Sequence, residues 1–145
     1  MPVQHSELPE GVTKLRNAFN ERADCTVVAI AVAADLPYAE AHSVLAQAGR
    51  KRRRGFKLRL WLDNQCAVAR MKNRPLVIGK YKVERVRFEY MRSVTLAQFH
   101  RDFPRGRFIA RKRSHAFAII DGKVYNSFTG ARTRITNIWY FTEAV

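Results

Sequence analysis

Residues 114–128, SHAFAIIDGKVYNSF, hold the local signal that decides the fold of this chain. The dipeptide Asp121-Gly122 separates two apolar runs. A two-residue hairpin turn of the primed type needs positive φ at both central positions, which Asp and Gly tolerate. We therefore predict a β-hairpin in which Ile120 pairs with Lys123.

This hairpin register places a histidine near an amide side chain. It pairs His115 with Phe128 and Phe117 with Asn126, and the four side chains share one face of the ribbon. Asn126 lies on the diagonal from His115, at roughly 7 to 8 Å between backbones, within reach of a side-chain hydrogen bond. Asp121 lies in the turn, roughly 20 Å away along an extended strand. Asn126 is therefore the predicted partner that orients the imidazole as a base.

The composition is that of one compact, strongly basic domain. The 145 residues are 47% hydrophobic and 11% aromatic, which is enough for a core, so we predict a single domain over residues 1–145. No window approaches the roughly 18 to 20 apolar residues of a membrane span, and the N-terminus lacks the basic start and apolar run of a secretory signal. We expect a cytoplasmic protein that makes no membrane contact.

Helices are predicted first along the chain. Residues 1–19 resemble a loosely ordered arm. Asp24 is positioned to cap a helix over about residues 25–34, which is apolar on nearly every face and is therefore expected to be buried. A second helix opens at Pro37-Tyr38 and ends at Gly49.

A basic loop and then strands follow. Seven of the ten residues in 50–59, RKRRRGFKLR, are Lys or Arg, and their mutual repulsion predicts a surface loop. TLAQFHRDFP is predicted to be a short helix capped by Thr95. The predicted strands are FKLRLWL, KYKVERVRFEY, GRFIARKRSHAFAIIDGKVYNSF and RTRITNIWYF. Helices followed by mostly antiparallel sheet indicate the α+β class.

The two cysteines of the chain have different sequence contexts. Two are too few for a disulfide framework, so both are expected to be free thiols in a reducing compartment. Cys25 directly follows the capping Asp24, and the N–H groups and positive dipole end of a helix start favour a thiolate. Cys66 has no such context and is expected to be a structural thiol.

The order Cys25, His115, Asn126 resembles that of papain-like cysteine peptidases, which place the nucleophile at the start of a central helix and the His and Asn on adjacent strands. The stretches DCTVVAIAVAADLPYAEAHSVLAQAGRK and TLAQFHRDFPRGRFIARKRSHAFAIIDGKVYNS also resemble small phage-encoded proteins of that fold. The resemblance covers about residues 20–128. It implies a papain-like α+β fold with the cysteine helix packed on an antiparallel sheet.

The resemblance also implies an activity. A thiol hydrolase or transferase acting on an amide or isopeptide bond would use Cys25 as nucleophile and His115 as base, with no cofactor. The family's oxyanion donor is a Gln or Asn a few residues before the cysteine, a position that Asn20 represents here. The chain departs from the family in lacking Gly-Ser-Cys-Trp at ADCTV, and in carrying Asn126 where the small phage relatives often carry Asp.

The net charge of +15 supports a different class of function. Such a charge attracts polyanions, and basic residues around an aromatic can follow a phosphate backbone. The alternative is therefore a catalytically inactive papain-like protein that uses a basic surface to engage nucleic acid or an acidic host protein. The candidate polyanion-binding residues are Arg50, Lys51, Arg52, Arg53, Arg54, Lys57 and Arg59. The basic residues that run on toward His115 and could extend this field to an active cleft are Arg101, Arg105, Arg107, Arg111, Lys112 and Arg113.

The remaining candidates have simpler interpretations. A zinc site generally needs three or four ligands, and Cys25 with His115 supplies two, so no metal is expected. Trp139 is predicted to lie in the core. Phe117 and Phe128 fit either the core or a substrate pocket.

Overall fold

A computed structural model describes residues 4–6, 8, 12, 24–51, 54–86, 93–113, 115–125 and 130–144. The helices within these ranges are α1 (Cys25–Ala33), α2 (Tyr38–Gln47), α3 (Leu58–Met71) and α4 (Leu96–Asp102). The strands are β1 (Gln4–Ser6), β2 (Leu76–Ile78), β3 (Tyr81–Val86), β4 (Val94–Thr95), β5 (Arg107–Lys112), β6 (His115–Ile120), β7 (Lys123–Tyr125), β8 (Arg134–Ile135) and β9 (Asn137–Glu143). The predicted α+β class is confirmed.

One seven-stranded sheet organises the fold, in the order β1-β7-β6-β5-β9-β3-β2. Its strands pair antiparallel except β1, which runs parallel to β7. β4 and β8 form a separate two-stranded ladder. Within the segment that the sequence predicts to be an arm, Gln4–Ser6 thus forms an edge strand and Val12 is buried.

The β6–β7 hairpin has the predicted register. Ile120 pairs with Lys123, and both turn residues have positive φ, 49° at Asp121 and 81° at Gly122. The Asp121 carboxylate accepts a 2.8 Å hydrogen bond from the Gly106 backbone N–H, which joins the turn to the start of β5. The predicted pairings that involve Asn126 and Phe128 lie outside the described residues.

Alternation along the central strands divides the interior into two cores. Ala116 and Ala118 belong to the core that contains α1, where small side chains let the helix approach the sheet. Phe117 and Ile119 point to the other face, into a second core shared with β4, α4 and β8. Trp139 is fully buried, as predicted. Phe117 is also fully buried and is therefore a core residue.

Helix α1 is buried as its composition predicts, with Thr26 through Ala33 all buried. The predicted side-chain cap is wrong. Asp24 occupies the N-cap position, but its carboxylate makes no capping hydrogen bond and instead accepts from the Tyr38 hydroxyl. The Asp24 carboxylate thus forms a hydrogen bond between two helices, because the start of α2 places the Tyr38 hydroxyl within reach of it.

Two helix boundaries follow their predicted signals. Helix α2 begins at Tyr38, after Pro37, and the chain leaves it at Gly49 with φ of 111°. Helix α4 is capped by Thr95, whose hydroxyl accepts from the Gln98 N–H at 3.1 Å. The other predicted strands, KYKVERVRFEY from Tyr81 to Val86 and RTRITNIWYF, are confirmed in the part of the chain that the structure describes.

The prediction of a strand at FKLRLWL is wrong, because this segment begins α3. A strand would bury Leu58, Leu60 and Leu62 together, since alternate residues share a face. The structure buries Leu58 and Leu62 at 3% and 0% exposure but leaves Leu60 51% exposed. Leu58 and Leu62 stand four residues apart, and this helical spacing puts both on the core side.

Candidate functional site

The direction of α1 over the sheet can be read from Arg107. Its Nη1 donates to the backbone carbonyls of Val32 and Ala33, at 3.1 and 3.2 Å, at the end of α1. Arg107 pairs across the strands with Ile120, the last residue of β6. The end of α1 therefore lies over the end of β6. At the opposite end, Thr26 of α1 and Ala116 of β6 line one cleft, so the two elements run in the same direction. Their first residues, Cys25 and His115, lie at the same end of this layer.

A cleft of about 370 Å³ opens at that end. It lies between the start of α1, the β5–β6 hairpin and the start of α3. The described residues that line it are Thr26, Phe56, Lys57, Leu58, Arg59, Leu60, Arg111, His115 and Ala116. The cleft thus joins His115 to the residue that follows Cys25.

Cys25 is partly buried and is the first residue of α1. The first intrahelical hydrogen bond runs from the Val28 N–H to the Asp24 carbonyl, at 3.0 Å. The N–H groups of the preceding residues have no partner within the helix, because the first turn of any α-helix leaves its donors unused. A carbonyl oxygen placed beside the Cys25 sulfur would therefore meet backbone donors and the positive end of the helix dipole.

His115 is partly buried and begins β6. Its ring stacks on that of Phe117, with centroids 5.9 Å apart and planes inclined by 21°. Strand alternation assigns this side chain to the Phe117 face, whereas its neighbour Ala116 faces α1. His115 nevertheless lines the cleft, because it is the first residue of β6 and stands at the end of the strand. The Phe117 ring supports its imidazole.

The predicted catalytic residues are described only in part. The structure places Cys25 and His115 at a common end of the α1–β6 layer. Asn126, the predicted orienting residue, and Asn20, the predicted oxyanion donor, lie outside the described residues.

The predicted basic surface loop over residues 50–59 is partly correct, because α3 already begins at Leu58 and includes Arg59. Lys51, Arg54, Lys57 and Arg59 are exposed, and the last two also line the cleft. Arg50 is only 6% exposed, so its assignment to a surface contact is wrong. Its backbone N–H donates to the Leu45 carbonyl at 2.8 Å. This hydrogen bond closes the end of α2 and holds Arg50 against the helix. Arg52 and Arg53 lie outside the described residues.

The two arginines of β5, Arg111 and Arg107, lie at opposite ends of the α1–β6 layer because they stand at different positions along the strand. Arg111 lines the cleft because it pairs with Ala116 and shares its face. It is one of the basic residues expected to extend the positive field. Arg107 belongs instead to the far end of α1, where its guanidinium also lies 4.9 Å from the Tyr81 ring centroid. Four positions along a strand reach from one end of the layer to the other, roughly 13 Å.

Thr26 is a cleft residue that the sequence analysis did not identify. It lies in an apolar helix, and nothing in its local sequence separates it from the buried valines that follow. Its side chain is 5% exposed, and its hydroxyl has no hydrogen-bond partner among the described residues. The only feature of the sequence that could have identified Thr26 as a site residue is its position next to Cys25.

Cys66 has the surroundings of a structural thiol. It lies in α3 and packs against the core that contains α1. Burial raises the pKa of its thiol, and the nearby Asp63 carboxylate raises it further. Among the described residues, no group of three or more His, Cys, Asp or Glu could hold a metal ion.

Comparison with protein-family models, curated proteins and solved structures finds no match for this chain. Within the described ranges, no single helix is long and apolar enough to cross a membrane. The pair α1 and α2, bent by 120°, satisfies that criterion by length and composition only.

Proposed function

We propose that this protein is a thiol-dependent hydrolase or transferase with a papain-like catalytic arrangement that acts on an amide or isopeptide bond. One observation carries the proposal: α1 and β6 run in the same direction, so that Cys25 and His115 begin both elements at one end, beside a common cleft. Hydrolysis, deamidation and acyl transfer share this machinery. A phage accessory role with an acidic host protein or peptide as substrate fits the basic rim of the cleft.

In this mechanism His115 takes the proton of the Cys25 thiol, and the thiolate attacks the substrate carbonyl carbon. The carbonyl π electrons move to oxygen, and the backbone N–H groups at the start of α1 stabilise the resulting oxyanion. When the tetrahedral intermediate collapses, the C–N bond breaks and the His115 imidazolium protonates the leaving amine. Water or another amine then attacks the thioester and releases Cys25.

Asn126 is the proposed orienting residue, on the basis of the hairpin register. The observed pairs that run from Ile120–Lys123 to Ala118–Tyr125 support that register. An amide that accepts from one imidazole nitrogen fixes the tautomer in which the other nitrogen is the base. No carboxylate is required for this orienting role.

The test is the pH dependence of Cys25 alkylation by iodoacetamide, followed by mass spectrometry. In the wild type, Cys25 is expected to react faster than an unassisted thiol at neutral pH, because His115 takes its proton. His115→Ala is expected to abolish this advantage. Lys112→Ala is the matched control, because Lys112 pairs with His115 across the hairpin and is also partly buried.

Cys66 provides an internal standard in the same experiment. Its alkylation should remain unchanged in both variants, which shows that the fold is intact. The proposal fails if Cys25 reacts like an ordinary thiol in the wild type. It also fails if the Lys112 and His115 changes have equal effects.

The second candidate is polyanion binding through the basic surface. The observation that favours it is the exposure of Lys51, Arg54, Lys57 and Arg59 along one short segment. Binding to a single-stranded oligonucleotide should then weaken steeply with salt, survive Cys25→Ala and fall in an Arg54→Gln, Arg59→Gln double variant. Salt-independent binding, or loss of binding in Cys25→Ala alone, would contradict this candidate.

A further inference from the structure

The cleft beside α1 carries unbalanced positive charge. Its described lining includes Lys57, Arg59 and Arg111, and no Asp or Glu. Lys57 and Arg59 are exposed at its rim, whereas Arg111 is partly buried. A concave surface lined by one sign of charge concentrates counter-ions, because its low-dielectric walls focus the field. The cleft is therefore electrostatically suited to an anion.

Arg111 is held in place by neutral groups. Its Nη1 lies 3.3 Å from the Thr136 hydroxyl and 3.4 Å from the Asn137 side-chain oxygen, and both groups orient the guanidinium without neutralising it. Burial lowers the pKa of Arg111, and the positive charge of Arg59 lowers it further. Arg59 and Arg111 both line the cleft, and their positive charges repel each other. An anion between them would convert this repulsion into two attractions.

Thr26 adds a polar group of a different kind. Thr26 lines the cleft, and its buried hydroxyl has no hydrogen-bond partner among the residues that the structure describes. Thr26 is the second residue of the nine-residue helix α1, where the backbone N–H groups have no intrahelical partner. A buried hydroxyl without a partner has a free-energy cost that a ligand acceptor would remove. The unpartnered hydroxyl is therefore a second observation, independent of the charges, that points to a polar ligand.

We propose that the cleft is a specificity subsite for a carboxylate of the substrate, held by Arg111 and Arg59 with Lys57 at the rim and the Thr26 hydroxyl at its floor. This inference rests on the proposed function, because Thr26 follows the nucleophile Cys25 in the chain. An Asp or Glu side chain close to the scissile amide, or a free C-terminal carboxylate, has the required charge. Guanidinium groups match a carboxylate with paired hydrogen bonds.

Two alkylating reagents of nearly equal size test the subsite. Iodoacetate carries a carboxylate and iodoacetamide carries a neutral amide, and both attack the same Cys25 thiolate. Both rate constants are proportional to the same thiolate fraction, so their ratio does not depend on it. The ratio therefore measures whether the cleft favours a negatively charged reagent over a neutral one. We expect Arg111→Gln or Arg59→Gln to lower the iodoacetate-to-iodoacetamide ratio at Cys25 by roughly threefold to tenfold at low salt.

Lys72→Gln is the matched control, since it removes one positive charge from an exposed residue after α3 that does not line the cleft. Its ratio should stay at the wild-type value. An equal fall in Lys72→Gln would show that net charge alone is responsible and would overturn the proposal. Unchanged ratios in both arginine variants would overturn it as well. Arg59 is exposed, so Arg59→Gln remains informative if Arg111→Gln fails to fold.

Competition identifies the anion. At constant ionic strength, glutarate should protect Cys25 from iodoacetamide in a saturable way, and Thr26→Val should weaken that protection. Equal or stronger protection by inorganic phosphate would overturn the assignment to a carboxylate. The pH profile with iodoacetamide reports the pairing of Cys25 with His115, whereas the reagent ratio reports the subsite. Failure of one proposal is therefore distinguishable from failure of the other.

Discussion

The hydroxyl of Tyr38 donates a buried 2.8 Å hydrogen bond to the carboxylate of Asp24, fourteen residues earlier in the chain. Tyr38 is the first residue of α2, and Asp24 immediately precedes α1. Both residues are fully buried. This bond ties the two helix starts together at the residue before Cys25, so the position of the candidate nucleophile depends on a contact between helices.

Tyr38→Phe is expected to lower the free energy of unfolding by about 1–3 kcal/mol, because it removes a donor from a buried carboxylate and leaves the ring in place. Urea denaturation measures this loss. The same substitution in an Asp24→Asn background gives the coupling energy of the pair. If the two changes are additive within about 0.5 kcal/mol, the bond does not contribute to stability.

Leu62 and Leu60 provide a matched test of helix α3. Leu62→Ala is expected to cost about 2–5 kcal/mol because it opens a cavity in the core. Leu60→Ala is expected to change stability by less than about 0.5 kcal/mol because that side chain is 51% exposed. Thermal or urea unfolding of the two variants is the measurement. Similar losses for both would indicate the alternating pattern of a strand.

Gly122 is required by the hairpin turn for two reasons. Its φ of 81° costs an L-residue about 1–2 kcal/mol, and an added Cβ would collide with the imidazole of His100. Gly122→Ala should therefore lower the melting temperature. The second change His100→Ala should recover the steric part of the loss. Gly130→Ala is the control, because a Cβ there meets no atom of the described residues within 4 Å. An equal loss at Gly130 would contradict this account.

Cys66 should titrate above an ordinary thiol. Burial raises its pKa first and Asp63 second, with a smaller contribution from Glu84. The midpoint of its alkylation by iodoacetamide should therefore lie above pH 8.5, roughly the value of a free thiol. Asp63→Asn should move that midpoint to lower pH, and Glu84→Gln should move it less. A larger shift in Glu84→Gln would reverse the assigned causes.

The raised pKa also makes stability depend on pH. The folded state retains the Cys66 proton more tightly than the unfolded state does. Its contribution is therefore fully present below the unfolded pKa and is lost as pH rises through the folded pKa. Cys66→Ala should flatten the fall in unfolding free energy over this alkaline range. Urea denaturation at a series of alkaline pH values measures the difference from the wild type.

Local signals predicted the elements whose structure depends on neighbouring residues. The turn at Asp121-Gly122 determined the β6–β7 register because only certain residues tolerate positive φ. Thr95 predicted the start of α4 because its hydroxyl caps a backbone N–H within one turn. The apolar run after Cys25 indicated a buried helix whatever packs around it. These features need no knowledge of distant residues.

Other features depended on which surfaces meet. The segment from Leu58 to Leu62 fits two periodicities, and only contact with the core selected the helix that exposes Leu60. Asp24 stands at the N-cap position of α1, yet its carboxylate accepts a hydrogen bond from the Tyr38 hydroxyl instead of capping the helix. Arg111 and Arg107 have similar sequence contexts. The direction of α1 over β6 decided that Arg111 lies at the start of α1, beside the cleft, and Arg107 at its end.

The sequence by itself therefore determined the α+β class, the hairpin, the buried helix that begins at Cys25 and the excess of positive charge. Only the tertiary structure decided that His115 stacks on Phe117 and reaches the cleft at a strand end. It also decided that Thr26 and Arg111 share that cleft. The physical reason is that backbone torsions and capping act within a few residues, whereas a cleft forms from the packing of elements far apart in the chain.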